Sequence, residues 1–218
     1  MRFLSLVAQP FRGKTVCCIG TGPSLALEDV DVARRKGMIL AGCNNTALDV
    51  PDLSVLYCCN FGWWETYWER VKSHPAEKWT TNKPAATLYG LHWIDEKDAP
   101  GLSTSPKVIH HGHGSGYSLL NLVYLMGAAK IVLLGYDMKY SASYDGRNRV
   151  IGPTPRHYFG EYPEALQHWP SVSVRGGVHV QLLELYLSVA KQGLVPIVNA
   201  SRDTALACFP RMPISEVV

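Results

Sequence analysis

The sequence predicts an α/β domain with a mostly parallel sheet flanked by helices, and three observations carry that prediction. Apolar runs of strand length, at 16–19, 38–42, 53–59 and 129–134, alternate with longer stretches of helical periodicity. The first three runs end in small or carboxamide residues: Gly20-Thr21-Gly22-Pro23-Ser24, Cys43-Asn44-Asn45-Thr46, and Asn60. A length of 218 residues suits one domain, 1–218, with its core over 14–201.

The first run, Val16 to Ile19, reads as a buried strand, and the turn after it lets a ligand approach the backbone. Lacking a Cβ, Gly20 and Gly22 can take positive φ and bring N–H groups within reach of a phosphate, with the Ser24 hydroxyl as a further donor. The turn lacks the third glycine of a dinucleotide fingerprint and the Gly-Lys-Ser/Thr of a Walker loop, so it also reads as a plain strand-to-helix connection. Leu25 to Gly37 places Glu28, Asp29 and Asp31 early and Arg34, Arg35 and Lys36 late, the charge order that complements a helix macrodipole. If the next two strands are parallel neighbours of the first, Asn44 and Asn60 stand beside the glycine turn. The alternative for the Asn pair is a simple turn, because Asn tolerates left-handed geometry. Phe61 to Val71 carries Trp63, Trp64, Tyr67 and Trp68 at helical spacing, read as core packing or as a subunit contact that would make the protein a homo-oligomer. Thr80 to Pro84 and Asp95 to Pro106 read as loops around one short apolar segment, Ala85 to Ile94.

Val108 to Gly116 holds His110, His111 and His113, which invite a metal reading; the alternating glycines give loop geometry and no carboxylate partner is defined, so no metal site is assigned. Ser115-Gly116 opens an apolar helix, Tyr117 to Met126, whose N-terminus is a second anion-binding opportunity. Ala129 to Leu134 is the clearest buried strand; it ends in Gly135-Tyr136-Asp137 and is expected to complete a βαβ unit, with Asp137 also readable as a turn cap. Ser141 to Pro155 has the composition of a surface loop, with Tyr140, Tyr144, Arg147 and Arg149 as phosphate-capable donors. Val178 to Gln192 reads as a helix, and Leu194 to Val198 as the last strand, where Pro196 suggests an edge position or a strand start. The tail from Arg202 onward is expected to lie over the surface.

A formal charge of +3 permits a polyanionic partner without arguing for one. Two adjacent cysteine pairs, Cys17-Cys18 and Cys58-Cys59, sit in strand-like runs whose neighbours face opposite ways, so they read as small buried residues of a reducing compartment. No run reaches transmembrane length and no secretory leader is recognisable, so the expected location is the cytoplasm.

Taken in order, Ile19-Gly20-Thr21-Gly22-Pro23-Ser24-Leu25, Cys43-Asn44-Asn45, Asn60, Ser115-Gly116, Leu134-Gly135-Tyr136-Asp137 and His157-Tyr158-Phe159-Gly160 resemble the family 42 bacterial sialyltransferases. The same skeleton is similar to the related 6-hydroxymethylpterin diphosphokinase-like domains. The resemblance spans Val16 to Ser201 and implies a single Rossmann-like domain that binds a cytidine nucleotide with sialic acid as donor sugar. It also implies that Gly20, Thr21, Gly22, Ser24, Asn44 and Asn60 hold the nucleotide, with Ser115, Gly116, Gly135 and Asp137 lining the donor site. Tyr140 and Tyr144 would stabilise the departing phosphate, which is why that family needs no metal cofactor. The chain departs from the family at two places. Gly112 and His113 stand where an arginine precedes Ser-Gly, and Glu161 stands at the position of the general base, His168 being the nearest later histidine.

The expected activity is therefore metal-independent glycosyl transfer from a nucleotide sugar, with a CMP sugar first, to the hydroxyl of a glycan, a small molecule or a modified DNA base. An acceptor hydroxyl loses a proton as it attacks, which favours His157 or His168 over Glu161 as base. One alternative is pyrophosphoryl transfer from ATP, needing magnesium with Asp137 as ligand. The other is a non-catalytic nucleotide- or DNA-associated module, for which Arg147, Arg149 and Arg156 are too scattered to make a dedicated footprint.

Overall fold

A computed structural model describes residues 7–139, 156–166, 174–175 and 178–218. From the N-terminus, β1 (Thr15–Ile19), α1 (Leu27–Arg35), β2 (Ile39–Cys43), α2 (Thr46–Asp49), β3 (Val55–Tyr57) and α3 (Phe61–Val71) alternate. β4 (Glu77–Thr80), α4 (Lys83–Tyr89), β5 (His92–Trp93), β6 (Asp95–Lys97) and β7 (Val108–His110) follow. Then come α5 (Ser115–Leu125), β8 (Lys130–Leu134), β9 (Val174–Arg175), β10 (Val178–His179), α6 (Val180–Gln192) and β11 (Ile197–Asn199). A seven-stranded sheet runs β11-β8-β1-β2-β3-β4-β5 with every pairing parallel, the Rossmann-like α/β architecture. β1 to β5 step outward on one side, and α5 returns the chain to β8 on the other. The order reverses between β1 and β8, where open α/β sheets leave a crevice at the strands' carboxyl ends.

A sheet covered on both faces needs strands that are apolar throughout, and Val16, Cys17, Cys18 and Ile19 are all fully buried. Cys17 packs in the core beneath α1 and α3, whereas Cys18 packs with Tyr117, Leu120 and Tyr186 of α5 and α6. Each fully buried Val or Ile contributes about 1.5–3 kcal/mol. All six cysteines are free thiols. α1 carries Glu28 and Asp29 in its first turn and Arg34 and Arg35 in its last, as the charge order predicted. In α3, Trp63, Trp64 and Tyr67 are buried in the core, so these three rings form interior packing rather than a subunit contact. β11 lies at the sheet edge that Pro196 indicated. No helix among the described residues is long and apolar enough to cross a membrane.

Several expectations are corrected. Thr80 to Pro84 is not a loop: β4 ends there and α4 begins, with Asn82 Oδ1 accepting from Ala85 N at 2.9 Å, Pro84 in the first turn and Gly90 as a left-handed C-cap. Asp95 to Lys97 forms β6, which pairs with β7 in a separate two-stranded sheet. The strand before α5 therefore lies outside the main sheet, and α5 with β8 does not complete a βαβ unit within one sheet. Val178 and His179 pair with β9 before the helix begins at Val180. The tail after Arg202 does more than cover the surface. Leu206, Phe209, Ile214 and Val217 are buried and join the two cores.

Candidate functional site

The floor of the site is the junction between the turn after β1 and the end of β8. Gly20 N donates to Leu134 O at 2.8 Å and Gly22 N to Gly135 O at 2.9 Å. Neither glycine has positive φ; in this junction that conformation belongs to Gly135, at φ 68. The absence of a side chain matters for close approach instead. A Cβ on Gly20 would lie 2.6 Å from the Gly135 carbonyl oxygen, and one on Gly22 2.5 Å from Asp137 Cγ. Ser24 donates its N–H to Asp137 Oδ2 at 2.7 Å and its hydroxyl to Oδ1 at 2.6 Å. The donors expected at the turn for a phosphate are thus engaged by the backbone and by the chain's own carboxylate. Asp137 is buried, and burial raises its carboxyl above the usual range, outweighing the two Ser24 bonds that act the other way.

Above this floor lies a cavity of about 370 Å³, lined by Gly20, Thr21, Gly22, Asn44, Ser115, Gly116, Gly135 and Asp137 together with Lys139, Arg156, His157 and His179. A second cavity of about 260 Å³ shares Asn44, Gly114, Ser115, Arg156 and His157 with it and is completed by Cys59, Asn60, Trp63, Tyr162 and Leu166. Ten of the anticipated residues therefore meet in one two-part cleft at the switch point. Ser24 lies beneath it as the Asp137 clamp, and Glu161 lines neither part: its carboxylate accepts from Arg156 N at 2.9 Å and Arg156 Nε at 2.6 Å. Tyr140, Tyr144 and His168, with Arg147 and Arg149, lie outside the described residues.

Asn44 adopts the left-handed φ of 52° and donates its N–H to Tyr57 O at 3.1 Å; its Oδ1 is buried. Asn60 has a structural duty, with Oδ1 accepting from Trp63 N at 3.1 Å to cap α3. Asn45 is buried and turns away to Trp63, whose Nε1 donates to its Oδ1 at 2.7 Å. The eleven-residue helix α5 begins at the cleft with Gly114 as N-cap and no side-chain cap, so its first N–H groups and positive dipole end face both cavities. Ser115 Oγ lies 3.4 Å from both the N and Sγ of Cys59.

A strap over 156–162 closes the upper wall. Thr21 Oγ1 lies 3.1 Å from His157 Nδ1, Tyr158 N donates to Thr21 O at 3.1 Å, and Tyr158 OH donates to Asp49 Oδ2 at 2.6 Å. His157 stacks on Phe159, ring centroids 5.0 Å apart and 3° from parallel, with Tyr162 edge-on at 4.7 Å. Burial lowers the His157 imidazole to about 4, so it is neutral at pH 7 rather than poised near neutrality as a free histidine would be. His179, which sequence reasoning missed, stands at the start of α6 with burial again lowering its pKa. Tyr162 and Lys139 were also missed, because nothing local in the sequence marks them.

Asp137 is the one carboxylate lining either cavity among the described residues, and both its oxygens accept from Ser24. The histidine run behaves differently from a metal cluster: His110 Nδ1 lies 3.0 Å from Gly101 O, and His111 Nε2 is 4.0 Å from Glu96 Oε2. Among the described residues no three His, Cys, Asp or Glu side chains group to hold a metal ion. Comparisons with protein-family models, curated proteins and solved structures found no match to this chain.

Proposed function

We propose that this chain is a glycosyltransferase that uses a nucleotide-activated sugar, with a CMP-linked sugar as donor. The observation that carries this reading is the convergence of the β1, β2 and β3 carboxyl ends and the uncapped start of α5 on one two-part cleft. Such a cleft suits a ligand with two moieties joined by phosphate. The phosphate is expected against Ser115 and Gly116, where the α5 N–H groups and dipole favour an anion; Arg156 and Lys139 also line the cavity, paired with Glu161 and Asp203 respectively. It is not expected on the Gly20 and Gly22 N–H groups or on Ser24, which are engaged by Leu134, Gly135 and Asp137. The ordered resemblance to the family 42 sialyltransferases supports the choice of cytidine, and that family's tyrosine role would fall on Tyr140 and Tyr144.

In the chemical step an acceptor hydroxyl attacks the anomeric carbon as the bond to the phosphate oxygen breaks. The proton needs an acceptor and the departing phosphate needs preorganised donors. A neutral His157 beside the cleft can take the proton, and the α5 N-terminus with Arg156 can hold the phosphate. Calorimetry with CMP tests the donor assignment. Binding is expected, and Asn44→Gly, which removes the carboxamide while tolerating the left-handed backbone, should weaken it about tenfold. No heat with any cytidine nucleotide would remove the cytidine assignment.

A further inference from the structure

A separate cavity of about 440 Å³ lies at the carboxyl end of the edge strand β11, between α1 and the C-terminal tail, and none of its lining residues lines the cleft. That volume falls within the range of small-molecule sites. Asp29, Arg202 and Arg211 give it a polar wall, and Val32, Met212 and Ile214 an apolar one. The two arginines are used differently. Arg202 donates Nε and Nη2 to the Asp29 carboxylate at 2.7 and 3.0 Å, so that pair carries no net charge. Arg211 hydrogen-bonds main-chain carbonyls only, Ser201 O and Arg202 O, each 3.4 Å from its Nη2, and no carboxylate among the described residues pairs with it. A guanidinium also donates through Nε and Nη1, so those N–H groups remain for a ligand and the cavity keeps one uncompensated positive charge. The backbone that carries Arg211 is fixed by the sheet. Residue 211 bridges Asn199 in parallel, Asn199 N donates to Pro210 O at 2.8 Å, and Met212 N donates to Asn199 O at 3.4 Å. The buried Asn199 side chain ties down the facing turn, with Nδ2 donating to Leu206 O at 2.9 Å and Oδ1 accepting from Ser201 N at 3.1 Å. A wall ordered in advance lowers the cost of binding.

We propose that this cavity is a second binding site, apart from the cleft, for a small organic oxyanion with an apolar body: Arg211 takes the oxyanion, and Val32, Met212 and Ile214 take the body. A single net charge in a concave site suits a small molecule, whereas a polyanion would need a run of cations. The site stands independently of the glycosyltransferase reading.

Phenyl phosphate carries both features and inorganic phosphate only the first. In proton–nitrogen NMR titrations of the nitrogen-15-labelled full chain, phenyl phosphate should shift the amides of Ser201, Arg202, Arg211 and Met212 saturably. Inorganic phosphate should move the same amides with about tenfold weaker affinity, because it buries no apolar surface. Arg211→Gln should weaken both probes at least about tenfold, and Arg211→Lys, which keeps the charge but not the fork of donors, should weaken them less. Shifts confined to residues 20–22 and 114–116 would assign the anion to the cleft and overturn the proposal, as would an affinity unchanged in Arg211→Gln. Equal affinity for the two probes would overturn the apolar body. If Arg211→Gln does not fold, the place of the shifts in the natural chain and the affinity of Arg211→Lys still decide it. Saturating CMP should leave phenyl phosphate binding at these amides within about twofold, since separate sites need not couple. Full displacement by CMP would make the two one site and overturn the second. Absence of CMP binding would remove the cytidine assignment and leave this site standing.

Discussion

The floor and the strap of the cleft are built by different means. The floor joins the ends of β1 and β8 by main-chain hydrogen bonds between Gly20 and Leu134 and between Gly22 and Gly135, with no room for a side chain on either glycine. The strap is pinned largely by side chains: Thr21 to His157, Tyr158 to Asp49, Arg156 to Glu161, and a stack of aromatic rings. Backbone contacts at this range tolerate no added atom, whereas a side-chain pin can be removed singly and leave its neighbours in place. The floor should therefore answer to volume and the strap to chemistry.

The sharpest test of that contrast is Gly22→Ala. Its Cβ would meet a buried carboxylate at 2.5 Å and a backbone oxygen at 2.6 Å, neither the free end of a flexible chain. A loss of about 3 kcal/mol in urea unfolding is expected, near the upper end for overpacking. A loss below about 1 kcal/mol would mean that the junction yields and the floor is no stiffer than the strap.

A second test uses pH. His157 is held near 4, below its ordinary 6.5, so the folded state binds fewer protons than the unfolded state between those values. Its contribution is present above 6.5 and is lost as pH falls through about 4. After allowance for partial exposure, about 2 kcal/mol should disappear across that window. His157→Gln should remove that part of the slope, read as the difference between the two proteins' stability curves. Parallel curves would show that the strap does not bury the ring. The smallest effect is expected for Tyr158→Phe, which deletes the hydroxyl bonds to Asp49 and Asn45 at a cost of about 1 kcal/mol. A cost near 3 kcal/mol would make that pin as stiff as the floor.

Much of the frame was legible locally. Apolar runs bounded by glycine and asparagine located β1, β2, β3 and β8, because a strand buried on both faces must be apolar along its length. The start of α4 was equally legible, with Asn82 and Pro84 in cap and first-turn positions, and was read as a loop because Thr80 to Pro84 is polar. The βαβ expectation failed for another reason: which sheet a short strand joins depends on partners distant in sequence, and β7 pairs with β6. Gly20 and Gly22 were singled out for conformational freedom and turn out to be needed for proximity, a distinction that exists only once β8 lies beside β1.

The amino-acid sequence by itself determined an α/β chain with strand ends rich in glycine and carboxamides, since hydrophobic period and turn chemistry are local properties. Only the tertiary structure decided what those ends do: Asp137 engages the Ser24 donors, Thr21 meets His157 across 136 positions, and His179 joins the same cavity. Those pairings depend on strand order and on burial, and both arise only when distant parts of the chain pack together.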